Sequence, residues 1–142
     1  MQRIDSLQPI NASAALVVAI LIGNRSAKTA SLKVVGVAVV EEVERAFRAA
    51  LVPVDSGAGL RHALQAGDVW CTGTVCCGVQ LMWVADALRR NNICRNMIEC
   101  ARKHLCYGQE IQKEYVAFLE PTEMGIRFAQ KYAGRDDFLV YY

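Results

Sequence analysis

The chain has 142 residues, room for one domain and little more. Apolar residues make up 54% and charged residues 21%, with a mean hydropathy of +0.19. This composition excludes intrinsic disorder, and ten glycines with three prolines exclude collagen-like and low-complexity chains. A formal net charge of +2 is too small to argue by itself for a nucleic-acid partner.

In chain order, Ser13 to Gly23 (SAALVVAILIG) first resembles the apolar region of a signal peptide, with AKTAS after it as a cleavage site. Asp5 offsets Arg3, and Pro9 and Asn11 interrupt the approach. The run is about 11 residues against the ~20 a bilayer core requires, so no membrane span is expected. A buried strand or core helix in a cytoplasmic protein is the default reading; secretion with a cleaved N-terminal segment is the alternative. Within residues 12–40, Leu16 to Ile22 and Leu32 to Val40 are β-branched runs that fit a strand pair or two buried helical turns. The following EEVERAFRAALV places Val39, Val40, Val43, Phe47, Ala50 and Leu51 at helical spacing, an expected amphipathic helix ended by Pro53. Asp55 and Ser56 offer caps for a short helix through Gln65, with Gly67 just past its end.

From Val75 to Leu88 only Gln80 and Asp86 are strongly polar, which predicts a buried central helix over 74–90 with Leu81, Met82, Trp83 and Val84 in the core and Arg89 and Arg90 at its end. Residues 92–119 predict a long amphipathic helix. Ile93, Met97, Ala101, Leu105, Gly108, Ile111, Tyr115 and Leu119 share one sector, and Glu99 lies between Arg95 and Lys103 at i±4. At 1.5 Å per residue such a helix spans roughly 40 Å, as long as the whole domain, so it kinks near Gly108 or protrudes. Pro121 stops it, Thr122 caps a final helix over 122–134, and Gly134 ends that one. The apolar tail Phe138 to Tyr142 implies docking against something. The expected fold is therefore mainly α: one domain, 1–142, a bundle of about five helices with a possible short N-terminal strand pair.

Six cysteines lie at 71, 76, 77, 94, 100 and 106. An apolar-rich chain argues against a disulfide framework and for reduced, buried thiols. A zinc site could draw on Cys71, Cys76, Cys77, Cys100 and His104, the last two being i,i+4 neighbours. The spacing fits no standard zinc pattern, and buried thiols with a satisfied core histidine explain the same residues. Cys106 falls toward solvent on the expected helix and is the candidate redox thiol; Cys76 and Cys77 would feel a helix N-terminus. Arg89, Arg90, Arg95, Arg102 and Lys103 form the densest basic cluster, a possible phosphate contact. Asp86, Glu99 and Glu110 dilute it, so a solvated face is the plainer reading and nucleic acid is disfavoured. Nucleotide-binding, zinc-protease and serine-hydrolase motifs are missing.

These observations predict a non-enzymatic helical interaction protein, an adaptor, chaperone-like partner or assembly subunit. It would pair with itself or a protein partner through Tyr115, Phe118, Phe138, Tyr141 and Tyr142. No catalytic residue or cofactor is assigned. The alternative is a small thiol- or zinc-dependent protein.

Overall fold

β-branched residues decide the first half of the chain. The structure, a computed structural model, describes residues 14–22, 32–54 and 61–141, and describes side chains within 14–20, 32–48 and 74–141. Strand β1 (Ala15–Ile22) pairs antiparallel with β2 (Leu32–Val54), from Ala15↔Val40 to Ile22↔Leu32. Strand β3 (Arg61–Val84) runs back along β2 from Val54↔Arg61 to Gly36↔Val84. Helix α1 (Ile93–His104) then crosses over to β4 (Val116–Leu119), which is parallel to β3. Helix α2 (Glu123–Ala133) crosses to β5 (Asp137–Tyr141), parallel to β4 and antiparallel to Phe47–Ala50 of β2. The sheet order is β1-β2-β3-β4-β5.

Both crossovers lie on one face, as like-handed connections between parallel strands require. There Ile98 and Ala101 of α1, with Ile126, Ala129 and Tyr132 of α2, pack on Cys77, Val79, Val116, Phe118, Phe138 and Val140. Cys76, Ala117, Leu139 and Tyr141 alternate to the opposite face, around Ala46. Leu16, Val18 and Ile20 of β1, with Leu32 and Val34 of β2, stay exposed.

The expected helical bundle is overturned: the molecule is mixed α/β, with a five-stranded sheet and, among the described residues, two α-helices. EEVERAFRAALV belongs to β2, not to an amphipathic helix. Exposed Glu42 and Glu44 alternate with half-buried Val43, then buried Ala46, and pairing to β3 and β5 overrides helix-favouring Glu, Arg and Ala. The 74–90 segment is strand β3 followed by a 3-10 turn at Asp86–Leu88. Its all-round apolarity reflects a strand covered on both faces, with Cys76, Cys77, Gly78 and Val79 buried in succession. Asp55 and Ser56, the proposed caps of the short helix, lie outside the described residues, as does AKTAS; Arg61 to Gln65 and Gly67 lie in β3.

The long 92–119 helix stops at His104. Gly108 turns the chain at φ 71°, Cys106 bridges Gln109, and the Ile111 N–H donates to the Arg102 carbonyl at 2.9 Å. Ile111 enters the core from that loop, and Val116, Ala117 and Phe118 are buried consecutively as a strand. Among the described residues, no domain-length helix remains to protrude. At α2 the sequence punctuation is seen in place: Thr122 Oγ1 accepts from the Gly125 N–H at 3.2 Å, and Gly134 closes the helix at φ 70°. The apolar tail docks inside the chain's own sheet as β5. Among the described residues, no helix is long and apolar enough to cross a membrane.

Candidate functional site

Strands β3 and β4 stay together only from Cys77↔Val116 to Val79↔Phe118. Beyond that level β3 continues to Val84, whereas β4 ends at Leu119 and the chain leaves through Glu120 and Pro121 into α2. The parting opens a cleft of about 890 Å³ at the carboxyl ends of two parallel strands, the usual ligand position in α/β sheets.

Three local features shape it. Arg90 and Asn92 both hold left-handed backbone, at φ 68° and 59°, just before α1. Asn tolerates this region better than most residues but does not cap the helix with its side chain, so the first turn of α1, whose Ile93, Cys94 and Arg95 line the cleft, starts without a side-chain cap. Such a helix start attracts anions. Arg89, Arg90 and Arg95 line the same cleft, with Arg89 held by Asp86 at 2.8 Å. In β3, Val79 and Leu81 face successive residues Val40 and Val39, leaving Gln80 without a counterpart; bulges of this kind recur beside active sites. Finally, Asp86 and Glu120 are the carboxylates lining the cleft. Asp86 is engaged by Arg89, whereas Glu120 has no ion pair among the described residues and sits at φ 36°. A non-glycine residue held there is strained, and such strain clusters at functional sites.

Behind the cleft, the Tyr132 hydroxyl donates to Glu99 Oε1 at 2.7 Å, and Arg102 donates to Glu99 Oε2 at 2.5 Å and to the Ile111 carbonyl at 2.6 Å. Burial opposes the Glu99 charge, but the hydrogen bonds from Arg102 and Tyr132 and the charges of Arg102 and Lys113 prevail and hold the carboxyl below its ordinary range. Burial, then the bond to Glu99, pushes the Tyr132 phenol up.

The sequence-predicted residues are dispersed. Phe118, Phe138 and Tyr141 are buried in the sheet and Tyr115 is half-buried, so the expected contact aromatics are core residues; Tyr142 lies outside the described residues. Among the thiol and metal candidates, Cys76 and Cys77 are buried on opposite faces of β3, while Cys100 and His104 are exposed on α1. The side chain of Cys71 lies outside the described ones. No three potential metal ligands converge among the described residues, and Cys76, Cys77, Cys94, Cys100 and Cys106 are free. The helix that would have activated Cys76 and Cys77 is a strand. Burial pushes Cys77 up to about 12 and also raises Cys76; burial and the Glu42 carboxylate raise Cys106, whose Sγ lies 3.3 Å from Glu42 Oε1. None of these thiols is activated.

The basic cluster divides. Arg89, Arg90 and Arg95 stay at the cleft, Arg102 turns inward, and Lys103 is exposed in the last turn of α1. Sequence reasoning missed Gln80, Asn92, Glu99, Glu120 and Tyr132. Only Arg-Arg-Asn-Asn before a helix carried a usable signal, and it lacks the glycines that mark phosphate loops.

Residues 73–141, which include all of the cleft lining, match the ESCO1/2 acetyl-transferase family model. The chain is 35% identical to human N-acetyltransferase ESCO1 over 115 residues, covering 77% of this chain and 14% of that protein. It is 33% identical to N-acetyltransferase ESCO2 of Danio rerio over 113 residues, covering 76% of this chain and 19% of the relative. Among solved structures it is similar to the xEco2 acetyltransferase domain, with 30% identity and a TM-score of 0.63, covering 78% of this chain and 62% of that one. The same domain bound to a K105-CoA conjugate gives 29% identity and a TM-score of 0.61, covering 78% and 61%. The chain thus spans less than a fifth of these curated relatives and about three-fifths of the solved domain. These likenesses overturn the reading of a non-enzymatic helical adaptor; the matched proteins are acetyltransferases built on an α/β sheet.

Proposed function

We propose that this chain forms the core of an acetyl-CoA-dependent N-acetyltransferase acting on a lysine side chain of a protein. One observation carries the reading: β3 and β4 part beside the uncapped start of α1, inside the span that matches the acetyltransferase family. The K105-CoA conjugate bound to a solved relative supports both the cofactor class and the acceptor class.

The residues present suit coenzyme A. Its pyrophosphate needs N–H donors and cations, which the first turn of α1, Arg89 and Arg90 offer together at one mouth. Acetyl-coenzyme A bound there would supply the acetyl group as a thioester, whose C–S bond breaks as the amide forms and releases coenzyme A as the thiol. The bulge at Gln80 offers a backbone N–H as the donor for the acyl oxygen. A lysine amine must lose a proton to become a nucleophile, and Glu120, the cleft carboxylate without an ion pair among the described residues, is the base assigned to take it.

The test is acetyl transfer from acetyl-CoA to lysine-containing peptides by the full chain, read by mass spectrometry. Arg89→Ala is expected to raise the acetyl-CoA KM with little change in kcat. Glu120→Gln should lower kcat by at least about a hundredfold while acetyl-CoA binding persists. Unchanged kinetics in both variants would overturn the assignment of this cleft.

A further inference from the structure

The fork between β3 and β4 has an aromatic floor. Val79↔Phe118 is the last pair the two strands make before they part, and Gln80, whose N–H is the donor assigned to the acyl oxygen, follows Val79 directly. Val79 and Phe118 belong to the face of the sheet on which α1 and α2 pack. An acyl group held at Gln80 therefore starts next to the Phe118 ring.

Phe118 is 3% exposed, and two further rings hold it in place. Phe128, which lines the cleft, meets it edge-on with centroids 6.2 Å apart. Phe138, which lines a separate cavity of about 380 Å³ toward the amino end of β4, meets it edge-on at 5.9 Å. Phe118 and Tyr132, both buried, are the residues the two linings have in common, so they form the partition between the two spaces. Tyr132 is pinned in turn, its ring stacked on Phe128 at 5.8 Å and its hydroxyl bonded to Glu99. A ring in so close-packed an aromatic cluster does not move aside without disturbing its neighbours.

We propose that Phe118 sets the length of the acyl group this cleft accepts, admitting acetyl and disfavouring chains of four carbons or more; the proposal rests on the acetyl-transfer reading. An acetyl group ends in one methyl and needs no room beyond the fork. A longer chain must either displace the wedged ring or leave its tail in the water of the cleft, and both weaken binding. Removing the ring joins the fork to the second cavity, where Val116, Phe138 and Leu139 offer apolar lining to the extra methylenes. The chemistry is the same for every chain length: the thioester C–S bond breaks, the amide C–N bond forms, Glu120 takes the proton of the amine, and coenzyme A leaves as the thiol.

The experiment titrates the full chain calorimetrically with coenzyme A, acetyl-CoA and butyryl-CoA, without an acceptor. Transfer of each acyl group to a lysine peptide then gives kcat/KM for the same pair of thioesters. Acetyl-CoA is expected to bind at least about fivefold tighter than butyryl-CoA and to be used at least about tenfold more efficiently. Phe118→Ala should bring both ratios within about twofold. Phe118→Leu, which keeps an apolar side chain in the core, covers the case in which the alanine variant does not fold, and should lower both ratios about threefold. Gly134→Ala loosens α2 without touching the partition and should keep the wild-type ratios, so a shift confined to the Phe118 variants reports the wall. Equal affinity for the two thioesters in the unaltered chain would overturn the proposal, as would ratios that neither Phe118 variant changes. Thioester binding in the expected order with no transfer counts against the catalytic reading alone. Failure of all three ligands to bind would overturn the reading of the cleft, and this proposal with it.

Discussion

Tyr132 on α2 gives its hydroxyl proton to Glu99 on α1 across 2.7 Å, a polar contact between the two helices behind the cleft. Arg102 anchors the other oxygen of the same carboxylate and carries the tie onward to the Ile111 carbonyl in the loop that leads to β4. The base of the cleft is thus held by a network that links α1, α2 and the entry to β4.

Breaking that contact should register in stability and in pH dependence. Tyr132→Phe removes one buried hydrogen bond and is expected to destabilise the fold by roughly 0.5–1.5 kcal/mol, read by urea denaturation. Because Glu99 is held below its ordinary value of 4.5, its contribution is complete above that pH and is lost as pH falls through the lower, folded value. Glu99→Gln should therefore flatten the acid limb of the melting temperature below about pH 4.5. An unchanged limb would show that Glu99 is not the responsible group.

Gly78 stands where β2, β3 and β5 approach closely. A Cβ there would lie 2.4 Å from Val43 Cγ2 and 2.8 Å from Tyr141 Cζ. Gly78→Ala is expected to destabilise by about 1–3 kcal/mol through overpacking, despite being the smallest possible change. Chemical denaturation of the variant reads it directly.

The two ends of α2 are separable. Thr122→Ala deletes the cap to Gly125 and should lower stability by about 1 kcal/mol. Gly134→Ala forces a side chain into φ 70° and should lose a similar ~1 kcal/mol. The effects should add within about 0.5 kcal/mol, because the sites share no partner.

Thiol labelling should follow burial. With iodoacetamide under native conditions, exposed Cys100 is expected to react well before Cys76 and Cys77, whose thiols are buried and raised in pKa. Denaturant should equalise the three. Rapid native labelling of Cys77 would contradict its place in the core.

Exposed and buried isoleucines should also part company. Ile20→Thr, on the outward face of β1, should change stability by no more than about 0.5 kcal/mol. Ile98→Ala, in the contact between α1 and the sheet, should lose roughly 2–5 kcal/mol.

Which residues seek burial, and where the chain turns, was legible in local pattern. The β-branched runs of β1 and early β2 were open to a strand pair or two buried helical turns, Thr122 and Gly134 marked the ends of α2, and an apolar tail had to dock. Arg89, Arg90 and Arg95 stood out as a basic group before their setting was visible. The period of burial was not legible. Glu42, Val43 and Ala46 lie in a strand, and Ile111 and Phe118 reach the core from a loop and a strand, because partners distant in sequence override helix-favouring residues. The cleft escaped sequence reading for the same reason: it exists only where β3 and β4, far apart in the chain, pair for three residues and then separate. Apolar spacing records how much surface must leave water; only long-range strand pairing decides which backbone geometry hides it, and which gap between strands is left open.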